Sequence, residues 1–194
     1  MSFNEWEDIL MLKHGVMKWA MALAIGFVFT GAVTAQAATK EEIETGVDRA
    51  LERFYEEVSD GKKIVKDAKG VLVFPAVFKA GIGLGGEYGE GALQIKGKTV
   101  QYYNTAAASL GFQLGVQKKS IVIIFQQERA LEDFRASSGW KAGVDASIAV
   151  VKVGAGGAMD TSKLNEPILG FIIGQRGLMY NLTLEGAKFS KIDR

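Results

Sequence analysis

Gly81-Ile-Gly-Leu-Gly-Gly-Glu-Tyr-Gly-Glu-Gly91 is the stretch on which the fold turns. Its first six residues match G-x-G-x-x-G. A dinucleotide site needs that turn to open a helix whose N-terminus holds the pyrophosphate. Here Glu87-Tyr-Gly-Glu-Gly91 follows, with too much glycine to propagate a helix. A kinase-type glycine loop needs an H-R-D loop elsewhere, and the chain's one histidine is His14. Read as a strand, the segment puts Gly81, Gly83 and Gly85 on one face. Gly111 with Gly115, Gly154 with Gly156, and Gly170 with Gly174 repeat the pattern. Glycine weakens a strand by roughly 0.5–1 kcal/mol per site against alanine. A body that approaches the bare face offsets this: the opposite sheet wall, a helix, or a lipid acyl chain in a narrow slot.

Upstream, Val71-Leu-Val-Phe74 reads as a strand stopped by Pro75. Before it, Thr39-Lys-Glu-Glu42 forms a capping box. Ile43, Val47, Ala50, Leu51, Phe54 and Val58 then recur at helical spacing, which predicts an amphipathic helix over 39–59. Ile64, Val65 and Ala68 indicate a second short helix before Gly70. Downstream, Ile121-Val-Ile-Ile-Phe125 is apolar on both faces and reads as a buried strand. Gln127–Ala136 is a brief helix with Ala130, Leu131 and Phe134 inward. Val144, Ala146, Ile148 and Val150 alternate with smaller or polar residues as in a half-buried strand. Residues 157–167 read as a loop ended by Pro167, with strands at 168–174 and 178–185. Leu110–Gly115 before Lys118-Lys119 echoes Leu169–Gly174 before Arg176-Gly177, and each reads as a hairpin. The expected class is α+β: an N-terminal amphipathic helix and short helices packed on a glycine-rich antiparallel meander or barrel-like sheet.

The uncharged run from Trp19 follows Lys13 and Lys18 and leads to Ala35-Gln-Ala37. A positive flank, a short apolar run and A-x-A predict a secretory signal over 1–37, cut between Ala37 and Ala38. The competing reading is a retained anchor, because Trp19–Thr39 is just long enough to span a bilayer. Initiation at Met11 or Met17 would give a leader of ordinary length. Residues 38–194 then form a single domain, periplasmic or secreted.

The chain has no cysteine. Without His14 it offers no Ser-His-Asp set and no His or Cys for zinc. Glu87, Glu90, Asp133 and Asp145 are carboxylates whose spacing singles out no hydrolase pair. The 23 basic and 22 acidic residues nearly balance, so nucleic acid is not an expected partner. No cofactor and no catalysis are expected. Lys62, Lys63, Lys66 and Lys69 cluster around the second helix and suit anionic lipid phosphates, or else form a solvated face. Trp140, beside Lys141, is either an interfacial anchor or a core residue at a strand start; both readings stay open.

Several motifs in order carry a resemblance: Ala68-Lys-Gly-Val-Leu-Val-Phe-Pro75, Gly81–Gly86 with Gly89 and Gly91, Ser109-Leu-Gly-Phe-Gln-Leu-Gly-Val-Gln117, Gly143-Val-Asp-Ala-Ser147, and Gly170–Gly174 with Gly177. Together they resemble the SYLF-domain family. The resemblance implies a lipid-binding module; eukaryotic relatives bind phosphoinositides, and fungal ones also act in actin assembly. The expected function is an exported protein that contacts anionic phospholipid headgroups or an acyl chain at a membrane surface. The alternative is an envelope scaffold that binds a protein. The expected lipid contacts are Lys62, Lys63, Lys66, Lys69, Trp140 and Lys141.

Overall fold

Thr39 starts the first helix by the expected exchange. Its Oγ1 accepts from the Glu42 amide at 3.2 Å, and Glu42 Oε2 accepts from the Thr39 amide at 2.8 Å. The computed structural model describes residues 37–153, 161–176 and 184–194. Helix α1, Lys40–Glu57, buries the stripe of Ile43, Val47, Ala50, Leu51 and Phe54. Glu41 and Glu42 in its first turn complement the helix dipole. After Asp60 in a left-handed conformation, α2 runs Gly61–Asp67.

Strand β1 runs Gly70–Ile95 and strand β2 runs Lys98–Phe125, an antiparallel pair. Lys96 and Gly97 join them, both with positive φ, the turn whose twist matches a hairpin. Pro75 does not stop β1. It lies where the register shifts between Phe74 and Val77, a bulge that absorbs its missing N–H. Ser120 Oγ donates to the Pro75 carbonyl there at 2.8 Å. Nor does β2 turn at Lys118-Lys119; the expected hairpin is one unbroken strand.

Helix α3, Glu128–Ala136, buries Leu131 and Phe134 as expected. Strands β3 (Trp140–Lys141), β4 (Ala149–Val151), β5 (Ile168–Arg176) and β6 (Lys188–Ile192) complete a six-stranded sheet. Its order is β3-β6-β2-β5-β4, with β1 on the other side of β2. Every pairing is antiparallel except β4 with β5. The strand expected from Val144 shrinks to β4. Gly143 has φ +81°, and Asp145 Oδ2 accepts from the Lys141 amide at 2.6 Å, so 142–146 form a turn. Val144 there is 75% exposed. The loop expected at 157–167 holds a 3₁₀ turn at Thr161–Lys163. Most of the strand expected at 178–185, and Gly154 with Gly156, lie outside the described residues. Strand β6 was not anticipated.

The sheet is covered on both faces, which explains the two-sided apolar run at 121–125. Val71, Val73, Val122, Ile124 and Phe171 pack under α1. Leu72, Phe74, Ile121, Ile123 and Phe125 pack on the other side with Leu131, Phe134, Trp140 and Phe189. Alternate residues of one strand serve the two cores. Among the described residues no helix is long and apolar enough to cross a membrane.

The described glycines of these stretches lie in strands, and at Gly89, Gly91 and Gly170 the protein's own atoms fill the space a side chain would take. A Cβ on Gly89 would stand 2.7 Å from the Ala76 carbonyl oxygen, and one on Gly91 would overlap the Val73 carbonyl oxygen. Gly81 and Gly83 pair across the hairpin with Gly115 and Gly111, on either side of a second register shift. Strand β1 therefore doubles over at its bulges. Its second half lies against the backbone of its first.

Candidate functional site

The short helix α2 presents the expected lysines. Lys62, Lys63, Lys66 and Lys69 are all exposed. None of the four pairs with a carboxylate among the described residues. Lys62 Nζ sits over the Tyr55 ring, 6.0 Å from its centroid. The Lys69 amide donates to the Phe125 carbonyl at 2.8 Å, which fixes this basic end against the terminus of β2.

Trp140 is not an interfacial anchor. It is 4% exposed, with ring centroids 5.5 Å from Phe134 and 5.8 Å from Phe189. Strand β3 has one face in the second core, and Trp140 takes that face while Lys141 takes the exposed one. Lys141 does not join the lysine helix. It pairs with Lys188 on β6, which adjoins the Tyr102–Ala106 end of β2, whereas Lys69 adjoins Phe125.

Two ionic clusters were not legible beforehand. Glu87 bridges Lys79, at 3.2 Å, and Lys119, at 2.6 Å. Both lysine side chains are buried, and one carboxylate serves the two of them. In a straight strand Lys79 and Glu87 would stand about 26 Å apart; only the doubled-over strand brings them together. Glu90, 9% exposed, gathers a second set. It accepts from Tyr88 Oη at 2.7 Å, from the Ala38 amide at 3.2 Å, and from the Arg194 guanidinium. Burial first, then the bond to Glu90, raises the Tyr88 hydroxyl above its ordinary pKa. A lysine at an inward strand position is the signal that could have exposed the first cluster, had the bulge been known.

The four carboxylates considered for hydrolysis have separate partners. Glu87 and Glu90 hold the clusters above, Asp133 lies 3.9 Å from Arg129 on the surface of α3, and Asp145 closes its turn. Tyr102 Oη donates to Glu44 Oε1 at 2.5 Å, tying α1 to β2. Desolvation, followed by that hydrogen bond, pushes the Tyr102 hydroxyl up to about 12. A surface cleft of about 270 Å³ is lined by Tyr103, Arg135, Lys191 and Glu132 among others. Its charge is mixed, and none of the α2 lysines lines it.

Residues 106–193 match the sequence profile of a family described as Las17-binding protein actin regulator, Ysc84. The match starts within β2 and runs through β6; α1, α2 and β1 precede it. No curated protein matches the chain.

Proposed function

We propose, for a chain whose residues 106–193 belong to the SYLF-domain family, that the protein is an exported, non-catalytic module that docks on anionic phospholipid. Cleavage between Ala37 and Ala38 delivers it to the periplasm or the exterior. The observation that carries this reading is the basic cluster of α2 and the turn after it: Lys62, Lys63, Lys66 and Lys69 stand exposed, without carboxylate partners among the described residues, at one end of the sheet. Near an anionic surface each lysine contributes about 1 kcal/mol. Together they supply roughly a thousandfold in partitioning. The acyl-slot form of the reading loses support at Gly89 and Gly91, where the protein's own backbone occupies the bare face.

Flotation of the exported protein with vesicles of neutral lipid and with vesicles containing anionic lipid tests the docking. Binding is expected only with anionic lipid, to fall steeply with salt, and to vanish when all four lysines become Glu. Equal binding by that charge-reversed variant would remove α2 from the site.

One observation favours a second reading, a protein-binding envelope scaffold. β1 has β2 as its one strand partner among the described residues, and an unpaired strand edge is a docking template for another chain. The family's printed description likewise names protein binding for its members. A stoichiometric protein crosslinked in cells, together with vesicles that never bind, would select this reading.

A further inference from the structure

The Ala38 nitrogen already points at a buried carboxylate, 3.2 Å from Glu90 Oε2. We infer that removal of residues 1–37 turns this amide into an α-ammonium that Glu90 captures, so that cleavage itself completes the anchoring of α1. The inference rests on the proposed cut between Ala37 and Ala38, and is independent of lipid.

The geometry discriminates between neighbouring start points. The Thr39 amide is already committed to Glu42 Oε2. A chain beginning at Thr39 would lose the Ala38 contact altogether. A chain beginning at Gln36 or Ala37 would keep only the neutral amide at Ala38. Only a start at Ala38 puts a full positive charge on the nitrogen that faces Glu90. An ammonium just before a helix N-cap opposes the helix dipole, so it needs a nearby anion. Glu90 supplies one that is fixed by Tyr88 and, among the described residues, paired with the Arg194 guanidinium. On α1 the nearest capping carboxylate, Glu42, is spent on Thr39. Exchanging an amide for an ammonium makes the bond to Glu90 charge-assisted, about twice as strong as a neutral one.

The sign with pH follows. Glu90 favours the ammonium while Arg194 and the N-terminus of α1 oppose it; capture means that the carboxylate prevails, so the titration in the folded chain lies above the ordinary α-amino value near 8. The stabilisation is fully present below about pH 8 and is lost as pH rises through the captured group's own titration.

The test starts from the full chain, exported by a bacterial host. Intact mass gives the first residue of the product; any start other than Ala38 overturns the cleavage position and the inference with it. Four proteins are then melted at pH 7: the parent, an insertion of Ser-Gly between Ala37 and Ala38, Glu90→Gln, and the double variant. The insertion is expected to lower Tm by about 2–4 °C, the shift for a modest interaction in a domain this size. It should have no effect in the Glu90→Gln background, and the parent's advantage should hold to about pH 8 and fade above it. An equal loss in both backgrounds, or none in either, refutes the capture while leaving the cleavage intact. Should Glu90→Gln not fold, the rate at which the α-amine is acylated decides the matter. The Ala38 amine must react more slowly than the inserted N-terminus, and equal rates overturn the inference.

Discussion

Gly91→Ala tests the doubling-over of β1 at its tightest point. The new Cβ would overlap the Val73 carbonyl oxygen and stand 2.8 Å from both the Val73 carbonyl carbon and Phe74 Cδ1. Ordinary contacts begin near 3.4 Å, so the two halves of the strand must part by more than half an ångström. Two of the three obstructing atoms are backbone, and Phe74 is fully buried. Neither can swing aside. Overpacking of this kind costs about 1–3 kcal/mol, and the backbone clash puts Gly91→Ala at the upper end. At ~2–4 °C per kcal/mol, Tm should fall by roughly 6–12 °C. Gly86→Ala is the matched control, because its Cβ would meet nothing closer than 3.9 Å, at the Ala107 carbonyl oxygen. It should be neutral or stabilising by about 0.5–1 kcal/mol, through the lost freedom of glycine in a strand. Urea unfolding followed by circular dichroism measures both, and an unchanged slope shows that the same surface is exposed. Equal stabilities for Gly91→Ala and Gly86→Ala would refute the close approach and reopen the bare face as a binding slot.

Glu87→Gln leaves Lys79 and Lys119 buried without an anion and should cost about 3–5 kcal/mol in urea unfolding; a loss under 1 kcal/mol would mean the cluster is open to water. Burial and the bond to Glu44 push the Tyr102 hydroxyl from its ordinary 10.0 up to about 12, so its contribution should be present below pH 10 and lost between pH 10 and 12. Tyr102→Phe should therefore flatten the alkaline fall in stability across that window, and an unchanged slope would count against the bond to Glu44. Of the three tryptophans, Trp140 is the one that follows the proposed cut after Ala37. Its emission should be blue-shifted in the exported protein and unmoved by anionic vesicles that bind it; a shift on binding would return Trp140 to the lipid site.

The local elements were legible because their causes are local. The Thr39 capping box, the apolar stripe of α1, the two-sided apolar run at 121–125 and the inward face of α3 follow from residues a few positions apart, where period and cap chemistry act directly. The same reasoning failed where one residue's meaning depends on a distant partner. Pro75 looked like a stop because its missing N–H was visible and the bulge that accommodates it was not. Trp140 could be anchor or core until Phe134 and Phe189 closed around it. Glu87 and Glu90 looked like carboxylates with no distinctive partner and Lys119 like part of a turn, since nothing nearby in the chain announces that β1 folds back on itself.

From the amino acids alone came the α+β class, the absence of cysteine and of any histidine beyond His14, and the four lysines in and just after α2. Tertiary structure alone decided that the backbone at Gly89 and Gly91 is covered by Ala76 and Val73 of the same strand, and that Glu90 draws Ala38 and Arg194 to one buried point. The physical reason is range. Helix period and capping act over four residues, whereas a strand's curl and the ion pairs it creates join residues from eight to more than a hundred positions apart.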